Sequence, residues 1–207
     1  MERREVAKIL LEEIEKIYPN AETELKNWDT PFQFLVCIML SAQTTDRQVN
    51  KVTGELFKKY PSAKEISHAK VGDLENFVGS VNYFRTKARH LKELGEIVYR
   101  EYGGDPPKKL EELLDLPGVG YKTANVFLND LYKSNQGIAV DTHVARVAKS
   151  YGLTKEDNPD KIAKDLEKLY PKDDWYKVNG VFVLYGRYIL KAKKPDMEKV
   201  VLKELLV

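Results

Sequence analysis

The chain has 207 residues, long enough to bury about 70% of its unfolded surface without a metal or disulfide to hold it together. It is 43% hydrophobic and 32% charged, which excludes disorder, and its longest unbroken apolar run, Phe34 to Leu40, is far short of the roughly 20 residues that span a bilayer. The single cysteine, Cys37, excludes an internal disulfide and any multi-cysteine metal site, and the charged amino terminus lacks the apolar core of an export signal. A net charge of +2 neither requires nor excludes a polyanionic partner. Charge is nonetheless clustered, because Arg187 to Lys203 holds six basic residues against two acidic ones.

In chain order the apolar spacing is helical. Val6, Ile9, Leu10, Ile14 and Ile17 stripe a first helix that Pro19-Asn20 stops. Pro31 to Ser41 reads as a helix apolar on every side. Asp46 is placed to cap a helix carrying Val49, Val52, Leu56 and Phe57, and Ser62 with Glu65 has capping-box spacing for the next. Leu91, Leu94, Ile97 and Val98 stripe a longer helix closed by Gly103-Gly104. Leu110–Leu114 and Thr123–Leu131 are two helices joined by Pro117-Gly118-Val119-Gly120. Asp141 precedes another, Asn158-Pro159 opens one more, and Trp175–Leu190 and Met197–Leu206 complete the chain. No segment alternates with period two. The expected fold class is all-α, with about ten helices.

The informative stretch is Leu116 to Asn125, LPGVGYKTAN. Two glycines around one apolar residue let the backbone turn tightly, and they leave amide groups at a helix start facing outward, where a phosphate docks without reference to sequence. Gly and Pro also make ordinary helix–helix turns, so the turn alone does not decide. The residues beyond it do. Leu116 to Asn125 resembles the helix-hairpin-helix of the endonuclease III family of DNA base-excision glycosylases, and Val140-Asp141-Thr142-His143 resembles that family's downstream aspartate motif. Leu40 to Asp46 is similar to its strand-entry segment, and Gly186-Arg187-Tyr188 with Lys193-Lys194-Pro195 to the stretch that leads, in relatives, into a cysteine cluster. The likeness runs from about residue 30 to 195 with the motif order kept.

The resemblance implies two helical lobes with a DNA cleft between them, one formed by residues 22–134 and the other by residues 1–21 with 135–207. Lys122 and Asp141 would face each other across it. It also implies a DNA glycosylase with AP lyase activity that removes a damaged, oxidised pyrimidine from duplex DNA. Other base specificities on the same fold stay open: a thymine or uracil mispaired with guanine, or an oxidised or alkylated purine. So does a hairpin that only grips phosphates, although such a binder would need neither Lys122 nor Asp141.

An N-glycosidic bond breaks through a cation-like sugar, so the site needs a nucleophile at C1′ and a nearby carboxylate. A lysine nucleophile must lose a proton it normally keeps to about pH 10.4, and a position in the first turn of a helix favours that loss. By resemblance Lys122 is the Schiff-base lysine, giving base release and then strand scission by β-elimination, and Asp141 is the catalytic aspartate. Asp141 is also a natural helix cap, and the two roles are compatible. His143 is left outside the catalytic pair.

Flipping a nucleotide out of the duplex leaves a gap to fill. Gln43 matches the family residue that inserts opposite the lesion. The second wedge position falls on Tyr83, in a segment with three extra residues relative to the family pattern; core packing of Tyr83 or Phe84 is the alternative. Gly118, Val119, Gly120, Tyr121 and Thr123 are the expected phosphate contacts of the hairpin, and Arg187, Lys191 and Lys193 those of the basic segment.

The four cysteines that hold a [4Fe–4S] cluster in relatives fall here on Leu190, Met197, Val200 and Leu206. No cluster and no other cofactor or metal is expected, with a small apolar group on the face of a last helix in its place. The expected partner is double-stranded DNA with a damaged base or abasic site. The expected protein is a monomer in the cytoplasm, at the nucleoid, with no membrane association.

Overall fold

A computed structural model describes residues 2–207. Among them are eleven α-helices, two short 3-10 turns and no strand. The helices are α1 (Arg3–Ile17), α2 (Pro31–Ser41), α3 (Asp46–Lys59), α4 (Ala63–His68), α5 (Val71–Val78), α6 (Phe84–Tyr102), α7 (Leu110–Leu114), α8 (Tyr121–Tyr132), α9 (Thr142–Ser150), α10 (Pro159–Leu169) and α11 (Trp175–Tyr188). The fold is all-α, as the spacing predicts, and none of these helices is long and apolar enough to cross a membrane. The chain divides into two compact units, residues 23–127 and residues 1–22 with 128–207.

The unit 23–127 is organised on α2. Its residues from Phe32 to Leu40 are all buried, which is why that helix is apolar all round rather than striped. Each large apolar side chain there contributes about 1.5–3 kcal/mol on burial. Its start is fixed by Thr30, whose side chain accepts from the Gln33 amide, and by Pro31 in the first turn. The one buried polar side chain of α2, Gln33, is satisfied by the Asp29 amide at 2.7 Å and the Pro61 carbonyl at 2.8 Å. Helices α3 and α6 pack on α2, and α6 also carries α4 and α5. Gly95 permits the α4–α6 approach, since a Cβ there would stand 2.5 Å from Ile66 Cγ2.

In the unit formed by residues 1–22 and 128–207, α9 packs on α11, and α1 packs on α10 and α11. The Asn158-Pro159 signal is realised, with Asn158 Oδ1 accepting from the amides of Asp160 and Lys161. Two caps differ from expectation. The α3 cap is Thr45, whose hydroxyl accepts from Gln48 N, and Asp46 is the first helical residue, where its charge still favours the positive helix end. At α4, Ser62 Oγ accepts from Lys64 N and donates to the Glu65 carboxylate.

The larger correction is at the carboxyl end. Met197 to Leu206 is not a helix; it runs in turns, with one 3-10 turn at Lys203–Leu205. The reason is lateral capture of its backbone by two tyrosines distant in sequence. Val201 N donates to Tyr185 Oη at 3.1 Å, and Tyr151 Oη donates to the Val201 carbonyl at 2.6 Å. The two hydroxyls bond each other at 2.8 Å, closing a ring of three bonds in which each group donates once. Leu190 and Val200 are buried, but Met197 is 45% exposed, so no apolar face of four residues forms.

This ring predicts a measurable loss. Tyr151→Phe should cost about 1–3 kcal/mol by leaving the Val201 carbonyl without its donor, read as a lowered Tm with faster amide exchange in residues 195–207. Burial raises the Tyr151 phenol above its ordinary value of 10.0. A raised folded-state value means that stability is complete below pH 10.0 and declines above it, as the unfolded chain gives up a proton the folded chain keeps. Wild type should therefore lose Tm above pH 10.0, and Tyr151→Phe should lose less of it.

Candidate nucleic-acid interface and catalytic residues

The hairpin joins α7 to α8. Gly118 has φ +76°, a left-handed conformation, and a Cβ on it would lie 2.8 Å from Met39 Sδ and 3.0 Å from His90 Nδ1. Glycine is required there twice, by backbone and by space. Val119 N bonds the Leu116 carbonyl, and Val119 and Leu116 are both buried, which pins the turn to the core. Gly120 differs, because a Cβ on it would meet nothing within 4 Å. Its bare side opens outward beside the first turn of α8, whose first intrahelical bond runs from Ala124 N to the Gly120 carbonyl. The first amides of any helix lack an i−4 acceptor and carry its positive end, which suits an incoming phosphate.

Lys122 is the second residue of α8 and is exposed; Tyr121 and Thr123 beside it are half-buried. Asn125 is buried, and its amide donates to the Tyr121 carbonyl at 2.9 Å, bracing the same turn. The two glycines thus make opposite predictions. Gly118→Ala should destabilise the fold by roughly 1–3 kcal/mol through strain and contact. Gly120→Ala should leave Tm unchanged and weaken DNA binding, measured as a titration against a duplex.

Two further loops of the same unit meet. Gln43, after α2, and Tyr83, before α6, are both exposed, Tyr83 at 67%. Tyr83 is not packed into the core, whereas Phe84 is half-buried, with the Arg85 guanidinium 4.7 Å from its ring centre. Asn82 bridges the loops, its backbone amide donating to Thr44 Oγ1 at 3.3 Å and its side chain to the Gln43 carbonyl. Lys87 joins them from below, and nothing in its spacing on an amphipathic helix marks it as more than a solvated lysine.

Asp141 lies in the other unit, as the cap of α9. Its Oδ1 accepts from both His143 N at 2.8 Å and Val144 N at 2.9 Å, so one oxygen carries the whole cap. No hydrogen bond among the described residues engages Oδ2. The α9 start is held by α11. A Cβ on Gly186 would stand 3.0 Å from the His143 carbonyl oxygen, so a larger residue there would push the α9 start away by a few tenths of an ångström. Arg146 reaches the same place, donating to the carbonyls of Leu190 at 2.8 Å and Gly186 at 2.5 Å and to His143 Nδ1 at 2.9 Å. A guanidinium only donates, so Nδ1 accepts and Nε2 is the ring nitrogen with the proton. His143 is thereby a half-buried residue bonded to Arg146.

Arg187 is half-buried in the last turn of α11. Lys191 and Lys193 are exposed on the loop that comes after it, which is folded back by bonds from Lys191 N and Asp196 N to the Ile189 carbonyl. The residues at the four cluster positions do not fit an iron–sulfur cluster, since none of Leu190, Met197, Val200 and Leu206 offers a thiolate. The one cysteine, Cys37, is buried in α2, and burial pushes its thiol up to about 12.

A short α7, a tight glycine turn and an α8 with a basic first turn define a helix-hairpin-helix DNA-binding protein. Residues 36–172 match the HhH-GPD superfamily of base excision DNA repair proteins. The chain is 41% identical over 182 residues to endonuclease III of Synechocystis, covering 88% of this chain and 83% of that one. It is 38% identical to endonuclease III of Bacillus subtilis over 89% of this chain and 84% of the relative. The structure superposes on a trapped endonuclease III–DNA covalent intermediate with a TM-score of 0.92 at 36% identity, over 100% of this chain and 96% of the other. The chain belongs to the endonuclease III family, and is a DNA glycosylase and AP lyase whose partner is DNA.

Proposed function

We propose that Lys122 is the nucleophile and Asp141 its carboxylate partner, acting on an oxidised pyrimidine in duplex DNA. The lysine amine forms a bond to C1′ as the N-glycosidic bond breaks, and the base leaves with a proton. Ring opening gives a Schiff base, and loss of a C2′ proton then expels the 3′ phosphate. Asp141 Oδ2 assists removal of the amine proton and balances the sugar's developing positive charge, while Oδ1 keeps α9 in place. The hairpin from Gly118 to Thr123 holds one strand by its phosphates, and Arg187, Lys191 and Lys193 hold backbone further along. Gln43 and Tyr83 occupy the space vacated by the flipped nucleotide.

The observation that carries this reading is the exposed Lys122 in the first turn of α8, directly after a glycine turn open to a phosphate. The absence of a thiolate at the cluster positions supports a protein that works without an iron–sulfur cluster; the reading is completed by a monomer that needs no other cofactor and acts on cytoplasmic DNA. Base release measured on duplexes with an oxidised pyrimidine, a G·T or G·U mismatch, an oxidised purine or an alkylated purine tests the substrate. The oxidised pyrimidine is expected to be released fastest. Preference for a mismatch or a purine would keep the lyase chemistry and overturn the substrate assignment.

A further inference from the structure

Gln43 and Tyr83 share a backbone feature: both have positive φ, 55° and 58°. A left-handed conformation is unfavourable for a residue with a Cβ, and it persists only where the surroundings over-determine it. Here the surroundings centre on one ammonium. Lys87, in the first turn of α6, is only 6% exposed. Its Nζ donates to the Leu40 carbonyl at 2.8 Å, the Ala42 carbonyl at 2.7 Å and Thr44 Oγ1 at 3.2 Å, which uses all three protons. The acceptors belong to the last turn of α2 and to the loop that carries Gln43, so the cation also sits at the negative end of a helix. Thr44 Oγ1 accepts from Asn82 N as well, one residue before Tyr83. No carboxylate pairs with Lys87 among the described residues.

A buried cation held only by carbonyl and hydroxyl oxygens is not the cheapest way to fill this space. An apolar side chain of similar length would avoid the desolvation cost. What it would not do is fix two loops to each other. We propose that Lys87 is the positioning residue for strand opening: its ammonium ties the Gln43 and Tyr83 loops into one rigid wedge, so that both side chains enter the duplex together. This rests on the wedge roles of Gln43 and Tyr83 and the lyase role of Lys122. It assigns Lys87 to insertion into a double strand and not to chemistry at the sugar.

The test separates those steps by substrate. A single-stranded oligonucleotide with an abasic site has no opposite strand and no gap to fill, so it needs Lys122 but no wedge. Wild type and Lys87→Met are compared in single-turnover scission of the same abasic site in duplex and in single strand. A fluorescent adenine analogue opposite the site reports insertion. Lys87→Met is expected to lose on the order of 10²-fold on the duplex, the scale of a misplacement of about 1 Å, and to keep its single-strand rate. Lys87→Arg should recover part of the duplex rate by donating to the same carbonyls. Equal losses on both substrates, or a duplex rate equal to wild type, would overturn the proposal. If Lys87→Met does not fold, the exposed Asn82→Ala decides: a loss on the duplex alone supports the wedge, and any other pattern contradicts it. A wild type that cleaves the abasic site in neither duplex nor single strand would remove the lyase reading itself, and this proposal with it.

Discussion

Lys122→Ala is expected to lose base release and strand scission together, by about 10³-fold or more, the scale of losing a covalent nucleophile. The loss should appear in the single-turnover rate. The dissociation constant for duplex DNA should change little, because the hairpin glycines and the basic segment remain. Stability should hold to within about 0.5 kcal/mol, since Lys122 is exposed and its side chain supports no core contact. A variant that kept base release and lost only scission would make Lys122 a lyase residue alone, with water as the nucleophile that frees the base.

The second large effect separates the two duties of Asp141. Asparagine caps a helix about as well as aspartate, so Asp141→Asn should keep the bonds to His143 N and Val144 N and hold Tm near wild type. It removes the charge, and the rate should fall by roughly 10²–10⁴-fold. Asp141→Ala removes both, and should add a stability loss of about 1 kcal/mol to a similar rate loss. Single-turnover rates and Tm on the same preparations read the two duties apart. An asparagine variant as fast as wild type would leave Asp141 as a cap and nothing more. These single-site effects are independent of the Lys87 wedge, and double variants with Lys87→Met should show additive losses only in the duplex assay.

Much of this was legible locally. The bounds of α2 follow from Thr30-Pro31 and a continuous apolar run, and those of α10 from Asn158-Pro159, because a cap and a proline act within one turn. The positions of Lys122 and Asp141 at helix starts were equally readable, since glycine turns and aspartate caps are short-range devices. Illegible features depend on partners far away in sequence. Met197 to Leu206 has helical apolar spacing, but Tyr151 and Tyr185 take the Val201 backbone sideways, and no short window of the chain contains all three. Lys87 is on a helix whose other lysines and arginines are not buried, and only the fold brings the α2 carbonyls to its Nζ. Gly186 was visible as part of a motif, whereas its steric purpose, the approach of α11 to His143, was not.

The whole mechanism turns on one event, the covalent joining of a lysine amine of this chain to the sugar. Borohydride reduction during reaction with a duplex bearing an oxidised pyrimidine or a preformed abasic site captures that bond, and peptide mapping of the adduct locates it. One stable protein–DNA adduct is expected, with the DNA remnant on Lys122. An adduct on a different residue, or none on either duplex, would contradict the mechanism.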